Sequence, residues 1–189
     1  PVRSIVFSSD GTRIVSGGED STICIWHGNS TLPICLPLRG GQRWVTNVAI
    51  SPDNKLIVAG DNEGKMSFWN AHTLEPLGEL QGHKKDITSV VFSPDSEWFV
   101  SGSADTTLRL WKASGRTPIF ALEAHKDEII SVAISPDSKN ILAVDKSGRM
   151  LLWNSAFIEG MTVGGVLGSP HERGVSSVAF SPDGHSLLS

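Results

Sequence analysis

The chain is poor in cysteine, has no uninterrupted apolar run and carries no surplus of positive charge, and each shortage closes off a class of protein. Cys24 and Cys35 are its only cysteines, too few for a disulfide framework or a four-cysteine zinc site. Sixteen Lys and Arg stand against twenty Asp and Glu, a net charge of −4, so the positive field that non-specific nucleic-acid binding needs is missing and no nucleic-acid partner is expected. The longest stretch free of Asp, Glu, Lys and Arg, Ser21 to Leu38, is interrupted by His27, Asn29, Pro33 and Pro37, which is unlike a membrane span, so no membrane association is expected. The sequence opens on Pro1-Val2-Arg3 with no initiator Met and no apolar leader, and reads as a piece of a longer chain or one lacking its ends. What remains, 39% hydrophobic and 19% charged over 189 residues, is the composition of a globular protein.

What is present is a repeat. Phe7-Ser8-Ser9-Asp10 returns as Ile50-Ser51-Pro52-Asp53, Phe92-Ser93-Pro94-Asp95, Ile134-Ser135-Pro136-Asp137 and Phe180-Ser181-Pro182-Asp183, with 43, 42, 42 and 46 residues between successive aspartates. Trp26, Trp69, Trp111 and Trp153 keep the same step in phase with it. Within a period the apolar residues alternate, Ile87, Ser89 and Val91 against Thr88, Val90 and Phe92, which is a strand pattern, and no segment carries a 3.6-residue stripe. Turn formers such as Ser93-Pro94-Asp95-Ser96 separate the runs. Each period therefore predicts a small antiparallel sheet; in the third, strands are expected near 76–81, 87–92, 98–103 and 107–112.

Gly82-His83, Ile87 to Asp95, Val100 to Asp105 and Leu108-Arg109-Leu110-Trp111 together resemble the WD-repeat (WD40) β-propeller family, and the likeness covers the chain in about four and a half repeats, approximately 1–27, 28–70, 71–112, 113–154 and an incomplete 155–189. The resemblance implies an all-β fold of four-stranded antiparallel blades, four complete and a fifth begun at Val175–Phe180, forming part of a larger propeller. A half-built blade leaves an open edge, so self-association through it is an expectation.

In the family a histidine, a serine, an aspartate and the tryptophan form a structural hydrogen-bond tetrad, which the resemblance assigns here to His83, Ser101, Asp105 and Trp111. A hydrolase reading of the same Ser, His and Asp lacks a nucleophile elbow. The other repeats are degraded: Gln42, Ala59 and Glu63 stand at tetrad positions in the second, Ala143 and Ser147 in the fourth. Asp61-Asn62-Glu63-Gly64 reads as a polar turn, His171 and His185 as surface residues, and the glycine-rich 160–168 as an irregular outer strand with its loop, so neither a metal nor a cofactor is expected. Cys24 and Cys35 fall on strands expected to be adjacent in the first blade, where a disulfide is the alternative, and are expected as two reduced thiols, in keeping with a cytoplasmic or, alternatively, nuclear location.

Partner contacts in this family cluster on the loops leading into the innermost strands and leaving the second strands. That places Arg43 and Trp44, Lys85 and Asp86, Asp127 and Glu128, and Glu172 and Arg173 on the expected binding face, joined by Glu19, Asn62, Ala104 and Lys146. Trp44 stands where Asp86 and Glu128 stand in later repeats, and Trp and Arg are the residue types that most often anchor interfaces; the alternative for Trp44 is a ring folded back over Val45 or a neighbouring blade's loop. The expected function is a non-catalytic scaffold for protein or peptide partners. The alternatives are a ligand-sensing or architectural segment of a larger signalling or immunity-type protein, and an enzyme working in the central channel.

Overall fold

The computed structural model describes residues 1–28, 30, 32–38, 42–123, 125–154, 163–168 and 175–189. The described residues form strands and turns with no helix, so none of them makes a helix able to cross a membrane. Eighteen strands run β1 (Val2–Phe7), β2 (Arg13–Gly18), β3 (Thr22–His27), β4 (Ile34–Pro37), β5 (Val45–Ile50), β6 (Leu56–Asp61), β7 (Lys65–Asn70), β8 (Pro76–Gln81), β9 (Ile87–Phe92), β10 (Trp98–Ser103), β11 (Leu108–Lys112), β12 (Thr117–Leu122), β13 (Ile129–Ile134), β14 (Asn140–Asp145), β15 (Met150–Asn154), β16 (Val163–Gly168), β17 (Ala179–Phe180) and β18 (Leu187–Leu188). They assemble in sequence order into four four-stranded antiparallel sheets, β1–β4, β5–β8, β9–β12 and β13–β16, followed by the two-stranded β17–β18. The glycine-rich segment supplies the outer strand from Val163 onward, and its ladder with β15 is irregular, with register shifts between Met150 and Leu151 and between Leu152 and Trp153, while 160–162 lie outside the described residues.

The repeated Ser-x-Asp builds the turn between the first two strands of every sheet. The serine hydroxyl donates to the aspartate two residues on, at 2.5 to 2.6 Å, in Ser8–Asp10, Ser51–Asp53, Ser93–Asp95, Ser135–Asp137 and Ser181–Asp183. The same aspartate accepts the amide of Thr12, Lys55, Glu97, Lys139 or His185. The chain then reverses through one left-handed residue, Gly11, Asn54, Ser96, Ser138 or Gly184, with φ between 58 and 73°. These bonds stabilise the ionised carboxylate: the Ser8 hydroxyl, then Thr12, hold Asp10 down to about 2.

The innermost strands share a second device. Three of them, β1, β5 and β13, carry a bulge near the start, between Val2 and Ser4, Val45 and Asn47, and Ile129 and Ser131. The polar side chain just past it accepts an amide of the next innermost strand: Ser4 from Val48, Asn47 from Val90 and Ser131 from Val178. These three side chains are therefore occupied in holding strand to strand.

Two compact units divide at Val90. In residues 1–90, Val15, Ile23, Ile25, Val45, Val48, Ile57 and Trp69 form a buried core. Gly17 lies against Val45 with no room for a Cβ, and Gly60 likewise against Ile87, where a Cβ would fall 2.5 Å from the side chain. In residues 91–189, Val100, Leu108, Leu110, Ile129, Ile141, Leu151 and Trp153 form one core cluster and Leu142, Val144, Met150, Val175 and Val178 another. Gly102 repeats the role of Gly17, its missing Cβ replaced by Ile129 and Val132.

Cys24 and Cys35 sit directly opposite one another in the β3–β4 register, with Cα atoms 4.0 Å apart, and are joined as a disulfide. This corrects the expectation of two reduced thiols. Scarcity of cysteine argued for free thiols, but antiparallel pairing brings these two side chains to bonding distance.

Candidate functional site

The polar groups near the sheet ends fall into a buried set and an exposed set. Ser101 is fully buried and its hydroxyl accepts the Trp111 indole N–H at 2.9 Å; Ser16 accepts that of Trp26 at 3.0 Å. Asp105 receives the Thr107 amide and hydroxyl at 3.0 and 2.6 Å, matching Asp20 with Thr22 at 3.2 and 2.8 Å. His83 is buried in the first unit. A serine that is fully enclosed and accepting an indole proton is not a presented nucleophile.

The degraded repeats carry a network that the sequence pattern did not expose. In the fourth, His125 Nδ1 lies 2.8 Å from Asp145 Oδ2, both side chains buried. In the second, Arg43 is 4% exposed and bonds Asp61 at 2.6 Å and Glu79 at 3.0 Å, with the Ser67 hydroxyl also on Glu79 at 3.2 Å. Asp61 and Asp145 occupy the position of Ser103, two residues before that of Asp105, so the acid has moved back onto the end of the second strand. Arg43 starts two residues nearer its innermost strand than His125 does from its own and reaches its acid with a longer side chain. Arg43 is therefore a buried structural cation, which corrects its assignment to the binding face. The signal was legible in principle: an Asp at the same offset in both repeats that lack the usual one.

Asp61 also takes the Glu63 and Lys65 amides at 2.9 Å, and Gly64, at φ +79°, is wedged against the His83 carbonyl, so the segment is a packed turn. Among the described residues no group of three or more His, Cys, Asp or Glu could hold a metal. Burial pushes His125 below the ordinary histidine value. Burial would raise Asp145, but the Ser147 hydroxyl, the His125 ring and the Arg149 amide outweigh it and hold the carboxyl below the usual range. The pair therefore stands as neutral imidazole and carboxylate, with the imidazole proton on Nδ1. His125 Nε2 and Trp153 Nε1, on rings 5.5 Å apart, have no hydrogen-bond partner among the described residues. Ala143 stands at the position of Ser101, whose hydroxyl accepts the indole proton in the third repeat.

The exposed set lies on the loops. In the first unit Trp44 is 46% exposed, with the Arg3 guanidinium 5.9 Å above its ring. Its backbone is fixed by a reciprocal pair with Asn62, whose side chain accepts the Trp44 amide at 2.8 Å and whose own amide donates to the Trp44 carbonyl at 3.1 Å. Arg3 in turn pairs with Glu19. Lys85 and Asp86 are exposed. In the second unit Lys146 pairs with Glu128 at 3.3 Å and donates its amide to the Glu128 carbonyl at 2.8 Å, while Asp127 accepts the Glu128 amide. Ala104 is buried, and Glu172, Arg173 and His171 lie outside the described residues.

Sheets of this order, with the tryptophan on each third strand and the turn serine before each second, define a repeat protein of propeller blades. The family model for the WD domain, G-beta repeat, matches residues 1–27, 34–70, 74–112, 116–154 and 164–189, and the chain belongs to the WD-repeat family. It is similar to protein hir-1 of Neurospora crassa, 31% identical over 97 residues covering 42% of this chain and 9% of the relative. It is also similar to apoptotic protease-activating factor 1 of Rattus norvegicus, 34% identical over 84 residues, 39% of the chain and 6% of the relative. Human WD repeat and SOCS box-containing protein 1 is 33% identical over 70 residues, 36% of the chain and 17% of the relative. The chain thus spans less than a fifth of the length of each of these curated relatives. WD-repeat domains are generally non-catalytic and mediate protein–protein interaction.

Proposed function

We propose that this chain is a non-catalytic interaction platform that holds protein or peptide partners through its rim loops, with Trp44 as the anchor in the first unit. The observation that carries the reading is a large aromatic left about half exposed on a backbone pinned at both its amide and its carbonyl by Asn62. A ring held in place before binding loses little conformational freedom when a partner covers it. Arg3 over the ring adds a cation whose guanidinium is half exposed, so the patch offers an apolar plate beside a hydrogen-bond donor. Lys85, Asp86, Asp127, Glu128 and Lys146 supply mixed charge, the pattern of a rim that tunes association more than affinity.

The test is affinity capture with quantitative mass spectrometry, comparing wild type, Trp44→Ala and, as a control on an exposed turn of the second unit, Lys139→Ala. A partner retained by wild type and by Lys139→Ala but depleted at least tenfold by Trp44→Ala is expected. Equal retention of every captured protein by all three would contradict the assignment of Trp44.

A further inference from the structure

The same cross-strand position, two residues before the tryptophan on the third strand and opposite it on the outer strand, is filled differently in each sheet. It is Ser67 facing Glu79 in the second, Arg109 facing Ala121 in the third and Leu151 facing Val166 in the fourth. In the first sheet it is Cys24 facing Cys35, and the link is covalent. The strand it ties down is the least secured of the four outer strands. β4 has four residues, Ile34–Pro37, where β8, β12 and β16 have six. It ends on a proline that cannot donate to the ladder, a second proline precedes it, and as the edge of its sheet it pairs with β3 alone. Cys35 is exposed and Cys24 half-buried, so the bond is open to an attacking thiol from the side of β4.

We propose that Cys24–Cys35 is a redox latch on the outer strand of the first sheet, opened by a dithiol reductant. The reductant's thiolate attacks Sγ of the more exposed Cys35, forming a mixed disulfide and releasing Cys24 as the thiolate. The reductant's second thiolate then attacks its own sulfur in the mixed disulfide, releasing Cys35 and leaving the reductant as its disulfide. The protein gains two electrons and two protons, and the dithiol loses them. With the bond closed, the loop between the cysteines is short and β4 cannot leave β3. With it open, the four-residue ladder, the hydrogen bond from the Leu38 amide to the Ser21 carbonyl at 2.8 Å and the burial of Leu36 and Leu38 are what hold the strand.

Hydrogen exchange on the whole chain, with and without dithiothreitol under native conditions, tests this, with intact mass reporting the redox state. The oxidised chain is expected to gain two hydrogens on reduction, and the amides of β3 and β4 to open on the order of 100-fold more often, as expected for a loop of this length, while β5 to β8 keep their protection. The Cys24→Ser, Cys35→Ser double variant should behave as the reduced chain with or without dithiothreitol. A natively isolated chain that shows no disulfide by mass would overturn the proposal. So would one whose β3 and β4 amides exchange identically before and after reduction, and this reading does not depend on the variant folding.

Discussion

At the scale of single residues, one hydroxyl separates a finished polar network from an unfinished one. Ser101 and Ser16 each receive an indole proton, whereas with Ala143 in that place Trp153 Nε1 and His125 Nε2 have no partner among the described residues in a buried setting. A serine at 143 can accept from the indole and donate to the imidazole, so Ala143→Ser is expected to stabilise the chain by about 1 kcal/mol, read as a rise of a few degrees in thermal midpoint. An unchanged or lowered midpoint would mean the hydroxyl cannot reach both groups. The neighbouring pair fixes the pH response. His125 is held neutral by burial, so its folded value lies below the unfolded one and the unfolded chain takes up the proton more readily. Stability from this site is complete above about pH 6.5 and falls as pH drops below it; Asp145, also held low, adds a further loss below the ordinary carboxylate range. In urea unfolding followed from pH 7.5 to 5, His125→Gln should flatten the slope. A wild-type chain whose stability rises on acidification through that range would contradict the assignment.

Among the elements, close approach of one innermost strand to the sheet before it depends on a glycine in the second strand. Gly102 has Ile129 and Val132 side chains within 2.8 Å of where a Cβ would stand. Gly102→Ala is expected to cost about 1–3 kcal/mol in denaturant unfolding, and adding Ile129→Val should recover part of it. The fourth sheet supports the volume argument: there the position is Val144, fully buried, and the residue aligned with Ile129 is the smaller Val175. A silent Gly102→Ala would show that the strands have slack. The elements were largely legible in the sequence, because strand period and turn chemistry are local. The strands expected at 76–81, 87–92 and 98–103 have those bounds, and β11 begins one residue later, at Leu108. β17 is shorter than the 175–180 strand expected, with Val175 buried but outside the ladder. What stayed hidden required knowing which side chains meet across strands. Arg43 looked like surface charge until Asp61 and Glu79 were placed around it, and the cysteines looked free until register set them face to face.

For the molecule as a whole, two kinds of residue stand apart near the sheet ends: those that hold sheets together and those that we propose a partner covers. Asp61, Asp145, Arg43 and His125 belong to the first kind by burial, and Trp44 to the second by exposure. The separation predicts opposite consequences for two substitutions, and partner retention per folded molecule, measured alongside the thermal midpoint, tests it most directly. Asp145→Asn should lower the midpoint and leave retention of the captured partner unchanged. Trp44→Ala should leave the unfolding free energy within about 0.5 kcal/mol of wild type, with little movement of the midpoint, and should deplete the partner at least tenfold. The account would be contradicted if Asp145→Asn removed the partner at temperatures where the variant remains folded, or if Trp44→Ala retained it.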